Sequence, residues 1–326
     1  MIIEVAADKD YERLDIFLSE KLDKTRTRVQ HLIKNGYVRT DEGMRAKPAS
    51  SVKAGCKYSV ELPESLNMEY LRAEPVDFDV LYEDEYLFVI NKPSGVIVHP
   101  APGHRRNTLV NGLVYRYPEM RKLSQWLRPG IVHRLDIGTS GLMIVARTEK
   151  VTLKLQSMFK NRTIHKHYIA LVHGCPEKSE GILSGPIDRD PDNYLHMIII
   201  EGGKPSLTGY KVLWSMNDIS LVECELFTGR THQIRVHMSA LGCPLVGDGL
   251  YGAKTGNLAR VYLHSWKLEF AHPVTGEAMK FRQPLTSDFI QRIALIKSRM
   301  PIDEGESENE TVSDNIDGEI DVDSEL

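Results

Sequence analysis

A chain of 326 residues with 41% hydrophobic and 26% charged side chains has the make-up of an ordinary globular protein, with length for one large folded unit and one small one. It opens on Met1-Ile2-Ile3-Glu4-Val5 with charges soon after at Asp8, Lys9 and Asp10, which excludes a signal peptide, and no apolar run approaches the ~18 residues that cross a bilayer, so a cytoplasmic protein with no membrane partner is expected. The net charge of −4 hides an asymmetry: residues 302–326 hold 11 Asp or Glu and no Lys or Arg, which leaves 41 basic against 34 acidic residues, or +7, for residues 1–301.

In chain order, residues 11–22 carry Leu14, Phe17, Leu18 and Leu22 on one helical face, and a second helix follows with Val29, Leu32 and Ile33 apolar and Gly36 as its C-terminal stop. A short strand at 37–39, a turn at Asp41-Glu42-Gly43 and a strand at 57–62 closed by Pro63 complete a compact unit, residues 1–63, near the lower size limit for independent stability. Residues 64–76 have weak periodicity and read as a linker. In the main body, 77–301, residues 87–90, 141–146, 168–172 and 219–226 are strand-like, whereas 108–115, 149–159 and 287–299 are helical in pattern. Strands and helices do not alternate regularly, which predicts an α+β fold with a mixed, largely antiparallel sheet rather than a doubly wound one. No tandem repeat is evident. Residues 302–326 are acidic and poor in hydrophobic residues, the composition of a disordered tail.

The segment Ile131-Val132-His133-Arg134-Leu135-Asp136-Ile137-Gly138-Thr139-Ser140-Gly141 sets an acid and a base beside a glycine-bounded turn at the start of a strand. Loops of this kind, held by a rigid sheet, often carry active-site residues. Alone, the segment would read as a turn in which Asp136 caps local amides and Arg134 faces solvent. Three further segments keep it company: Asn91-Lys92-Pro93-Ser94-Gly95 with His99-Pro100-Ala101-Pro102-Gly103-His104, then Lys166-His167-Tyr168-Ile169-Ala170-Leu171-Val172, then Thr228-Gly229-Arg230-Thr231-His232-Gln233-Ile234-Arg235-Val236-His237 running on to Gly247-Asp248.

In this order and over residues 80–285, these segments resemble the RluA/RluD family of pseudouridine synthases, whose central motif reads His-Arg-Leu-Asp followed two residues later by Thr-Ser-Gly. The resemblance implies that Asp136 is the catalytic residue, that Tyr168 and Arg235 support it, and that Arg134 takes the space left in the RNA stack when a nucleotide is flipped out. It also implies a structured RNA as partner, ribosomal RNA in particular. Residues 13–15 and 25–36 resemble the alpha-L RNA-binding domain, with Arg26, Arg28 and Lys34 placed to meet phosphates. Departures exist at Ile137-Gly138, where the family often has Lys-Asp, at Arg106-Asn107 and at Cys56.

The chemistry asks for these residue types. Making pseudouridine breaks the N1–C1′ bond, turns the base and rejoins it through C5. No electrons are exchanged and no group is lost, so no cofactor is expected. A carboxylate at the sugar serves as nucleophile or as base, and a neighbouring arginine keeps it ionised in a dry pocket. Flipping the nucleotide costs a few kcal/mol, and a planar guanidinium suits the vacated stack.

A rival reading is a non-catalytic RNA-binding or ribosome-assembly factor on the same fold, but a binder has no need of Asp136, Tyr168 and Arg235 together. Gly247-Asp248-Gly249-Leu250-Tyr251-Gly252 spells G-x-G-x-x-G with Glu269 downstream, yet no helical pattern follows it, so a nucleotide cofactor is not expected. No metal is expected either: Cys56, Cys175, Cys224 and Cys243 are dispersed and read as buried free thiols, while His165, His167, His232 and His237 lack partners at metal-ligand spacing and read as satisfied structural histidines.

Overall fold

The computed structural model describes residues 2–61 apart from 23, 25, 42 and 45, residues 71–123 apart from 102 and 103, and residues 128–252 and 260–298; the side chains of 27 and 28 are not described. The expected acidic tail, 302–326, and the first part of the expected linker, 64–70, lie outside the described residues.

Strands β1 (Ile2–Ala6), β2 (Val38–Thr40) and β3 (Lys57–Glu61) pair antiparallel in the order β1-β3-β2. Helices α1 (Leu14–Leu22) and α2 (Arg26–Lys34) bury Leu14, Phe17, Leu18, Val29, Leu32 and Ile33 in a core shared with Val38 and Val60 of this sheet. Gly36, at φ 79°, ends α2 as its position predicts, and Tyr37 N–H returns to Leu32 O at 2.9 Å. β1 adds a strand that the sequence reading did not contain. In the same unit Asp15 is wholly buried, accepting from Arg13, from Gln30 Nε2 at 2.5 Å and from Arg26 Nε at 3.1 Å.

The large sheet runs β4-β5-β6-β13-β7-β12-β11-β8, with β14 added beside β13. Its strands are β4 (Asp79–Glu83), β5 (Leu87–Lys92), β6 (Ser140–Ala146), β7 (His165–His173), β8 (Glu180–Ser184), β11 (Leu207–Met216), β12 (Ile219–Leu226), β13 (Leu263–Ala271) and β14 (Ala278–Arg282). Every neighbouring pair is antiparallel except β6 with β13. The sheet is therefore mixed and largely antiparallel, as the sequence predicts. A separate hairpin joins β9 (Ile187–Arg189) to β10 (Met197–Ile199).

Both faces of the sheet centre are covered, which is why β5 and β6 read as unbroken apolar runs rather than alternating ones. Phe88 and Ile90 of β5 face α3 (Leu109–Arg116). Leu87 and Val89 face the opposite way, against Val151 and Leu155 of α4 (Glu149–Lys160). Further along, α6 (Ser287–Lys297) lays Phe289, Ile293 and Ile296 on Ile169, Leu171 and Trp266.

Two expectations need correction. The linker expected over 64–76 is packed chain from Leu71 onward: Leu71 is buried with the main core, Arg72 O accepts from Asn111 Nδ2 at 2.7 Å, and Glu74 binds Arg106 at 2.8 Å and the Asn107 amide at 2.6 Å. From Leu71 to Val76 the chain follows no regular element and serves the N-terminal end of α3. The four cysteines are free, but only Cys224 and Cys243 are buried; Cys175 is exposed.

The parallel seam has a strict requirement. Gly141, at φ 108°, faces β13 so closely that a Cβ there would lie 2.2 Å from Ser265 O. Only glycine lets β6 start against β13 at this point, and the turn bearing Asp136 comes immediately before it.

Candidate active site

The turn ahead of β6 is fixed from several sides. Ala146 N–H bonds Gly130 O at 2.8 Å, and Thr139 N–H closes back on Asp136 O at 3.1 Å. His133 Nε2 accepts from Ile144 N–H at 2.8 Å, and burial, then Lys166, pushes its pKa down to about 3. It is a neutral acceptor that clasps the turn to β6. Gly95 N–H donates to Ile137 O at 2.8 Å and Ser94 Oγ to Gly138 O at 3.0 Å. Beneath them the fully buried Lys92 donates to the carbonyls of Pro93 and Val96 at 2.7 and 2.8 Å. Burial and then Arg260 bring its pKa down to about 7, with Asp136 opposing. With its backbone so constrained, Leu135 points into the core while Arg134 and Ile137 stay exposed.

Asp136 keeps 17% of its side chain exposed and meets two groups from α5 (Gln233–Ala240) and the residue before it. Its Oδ2 lies 3.4 Å from Arg235 Nη1 and its Oδ1 lies 3.9 Å from His232 Nε2. The expected partnership of Arg235 with Asp136 is thus the weaker of two. The main partner is Asp248, fully buried, which takes Arg235 Nε at 2.7 Å and Nη2 at 2.8 Å in a two-point fork and also accepts from Leu250 and Tyr251 amides at 3.0 and 3.2 Å. Burial alone would lower the Arg235 pKa and raise that of Asp248; their mutual pairing outweighs it, holding the first above and the second below its ordinary value. The Arg235 guanidinium also sits 4.9 Å from the Tyr251 ring centre. One free N–H face is left, and it addresses Asp136.

Tyr168, on β7, is buried beside the same acid. Burial drives its phenol far above the ordinary value, the Ser265 hydroxyl opposing and Asp136 adding. It stays protonated, so it offers a ring face and an O–H rather than a phenolate base. Arg134, Asp136, Tyr168, Arg230, His232 and Arg235 all line one cavity of about 50 Å³. The four main-body residues singled out by sequence therefore come together. A larger cavity of about 220 Å³ lies among His196, Met197, Ile199, Val236, Ser239 and Tyr251, and no Asp, Glu, Lys or Arg lines it.

Sequence reasoning missed two members of the site. Asp248 sat inside the glycine pattern set aside as a weak cofactor signal; the glycines instead allow tight packing, since a Cβ on Gly247 would lie 1.9 Å from Arg260 O. His232 was grouped with structural histidines, yet it reaches towards Asp136. The others behave as expected: His167 pairs with Glu223 at 2.8 Å, His165 approaches Glu225 at 3.6 Å, and His237 lies 2.9 Å from Thr208 Oγ1. Among the described residues no group of three His, Cys, Asp or Glu could hold a metal ion, and no helix is long and apolar enough to cross a membrane.

Arg26 is committed in part to Asp15, Lys34 is exposed, and the side chain of Arg28 lies outside the described residues.

Comparison with known proteins bears on this site. The profile of the RNA pseudouridylate synthase family matches residues 86–240. An uncharacterised RNA pseudouridine synthase of Bacillus subtilis is 41% identical over 293 residues, 89% of this chain and 96% of that protein. A ribosomal large subunit pseudouridine synthase D of Pseudomonas aeruginosa is 36% identical, over 91% of this chain and 97% of its own length. The solved structure of human RNA pseudouridylate synthase domain containing 1 superposes with a TM-score of 0.52 at 28% identity, covering 68% of this chain and 95% of the other.

Proposed function

This chain belongs to the RNA pseudouridylate synthase family and isomerises uridine in RNA, and from that premise we propose that its target lies in large-subunit ribosomal RNA and that Asp136 acts at C1′ of the flipped nucleotide. One observation carries the catalytic part: the Asp136 carboxylate lies 3.4 Å from an arginine whose other nitrogens are fixed by the buried Asp248. The fork to Asp248 pins the guanidinium, so a fixed positive charge stands beside the carboxylate that serves as nucleophile or base at the sugar.

The atoms balance without an added reagent. The N1–C1′ bond breaks, the C5–C1′ bond forms, the C5 proton leaves and N1 gains one. Tyr168 presents a neutral ring and hydroxyl to the turning base, and Arg134, exposed at the cavity rim, fills the place of the extruded nucleotide in the stack. The ribosomal target rests on the named relative in Pseudomonas aeruginosa. The rival reading as a mere RNA-binding factor accounts for the fork to Asp248 but leaves Arg235 Nη1 beside Asp136 without a purpose.

Pseudouridines in large-subunit ribosomal RNA should be mapped in strains with and without the gene. At least one site should vanish on deletion, return with the intact gene, and stay absent with an Asp136→Asn copy. An unchanged map would remove ribosomal RNA as the target. The first 63 residues we assign to backbone contact with the RNA, through the exposed Lys34 above all. Lys34→Ala should lower the slope of log affinity against log salt by about 0.7–0.9, with turnover at saturating RNA unchanged; an identical slope would take Lys34 out of the interface.

A further inference from the structure

His232 stands in a backbone conformation that few side chains accept. It has φ 56° and ψ 21°, the left-handed region, directly before α5, and its side chain makes no capping bond to that helix. Histidine, asparagine and aspartate tolerate this region better than most residues. The ring is thereby turned away from the helix and into the cavity with Asp136.

The Tyr251 hydroxyl accepts from Met197 N–H at 2.8 Å and lies 2.8 Å from His232 Nδ1. In the tautomer on which the inference rests, Tyr251 gives its own hydrogen to Nδ1 and Nε2 carries the N–H. Burial lowers the pKa of His232, with Asp136 opposing, in keeping with a neutral ring. An N–H donor and a carboxylate acceptor therefore face each other across 3.9 Å.

That gap is too long for a hydrogen bond and suits one atom set to the side. A hydroxyl placed ~2.7–2.9 Å from both would be bent by roughly 90° at its oxygen, donating to Asp136 and accepting from His232. Within an RNA chain the 3′ and 5′ oxygens are phosphodiesters. The free hydroxyl of an internal nucleotide is the 2′-OH, one carbon from C1′, where Asp136 acts. We propose that His232 Nε2–H and Asp136 Oδ1 together grip the 2′-hydroxyl of the target nucleotide, so that His232 is the residue that tells ribose from deoxyribose at the reacting position. This rests on the assignment of Asp136 to C1′. Tyr251 is a positioning residue, acting through the tautomer of His232.

The test uses the intact protein and synthetic RNA hairpins copied from the mapped site, with ribose or 2′-deoxyribose at the target uridine alone. Changes in pucker and in glycosidic bond strength belong to the substrate and recur with every variant, so the comparison of variants isolates the protein's part. The wild type should prefer ribose, and in His232→Asn, which suits the left-handed backbone but falls short of the Nε2 position, that preference should shrink by about tenfold in kcat/KM. His232→Gln, whose amide N–H can reach that position, should recover most of it. A ribose preference in folded His232→Asn equal to the wild type's overturns the proposal. If that variant does not fold, Tyr251→Phe, which leaves His232 in place without its fixed tautomer, should narrow the preference several-fold, and no narrowing is again fatal. Asp136→Asn run alongside should be inactive on both sugars. Activity there would defeat the assignment of Asp136 itself, a result distinct from failure of the 2′-hydroxyl contact.

Discussion

Asp136→Asn is expected to lower turnover of the target uridine by roughly 10⁴-fold or more, the scale on which enzymes lose a nucleophile or its equivalent. The exchange conserves volume and removes only charge and basicity. Little else should change, because the turn is closed through the backbone oxygen of Asp136, from Thr139 N–H at 3.1 Å, and not through its side chain. Arg235 keeps its two bonds to Asp248. Each completed isomerisation expels the C5 hydrogen, so tritium placed at C5 of uridine and released to water reports the rate. The urea midpoint should stay near that of the wild type. Turnover within tenfold of the wild type would mean that another group does the chemistry.

Arg235→Ala should fail in a different way. Asp248 is fully buried, and the fork from Arg235 is what balances its charge. Breaking a buried pair by removing one member costs about 3–5 kcal/mol, a large part of the ~5–15 kcal/mol that holds a typical domain folded. Stability and turnover should therefore fall together, with Asp136 also losing its cation. Arg235→Lys should not rescue both functions, since an ammonium is a point charge and cannot fork to Asp248 while addressing Asp136. Urea unfolding followed by tryptophan fluorescence measures the first effect, and single-turnover tritium release on the folded fraction measures the second. A variant as stable and as fast as the wild type would remove Arg235 from both roles.

The parts of this arrangement that sequence revealed are those with local signatures. β5 and β6 announced themselves through apolar runs, α4 and α6 through helical spacing, and the end of α2 through Gly36. The turn bearing Asp136 stands out because its residues resemble a known motif, not because the residues alone demand it. What stayed hidden depends on backbone angles or on partners far along the chain. The left-handed φ of His232 leaves no mark in a one-dimensional pattern, so a side chain aimed at the acid passed for a structural one. Asp248 was concealed by glycines that suggested a phosphate loop and in fact allow close packing on Arg260. β13 carries His264, Ser265 and Trp266 in sequence, which breaks the alternation expected of a strand. Its identity comes from β6 and β7 on either side, both supplied by distant chain.

That placement of β13 governs the order in which the protein can become an enzyme. β6, whose seven residues are all buried in the finished sheet, ends at Ala146, and the strand that lies against it begins at Leu263. At ~5–20 residues per second, synthesis of the chain between them occupies roughly 6–23 s. Throughout that interval the turn with Asp136 has its sequence but not its seam, and Arg235, 99 positions from Asp136, is itself late to arrive. Closing so long a loop comes after the local contacts of α1, α2 and their sheet have formed. A ribosome making this protein thus carries, for many seconds, a nascent chain whose N-terminal unit can fold while its chemistry cannot yet exist.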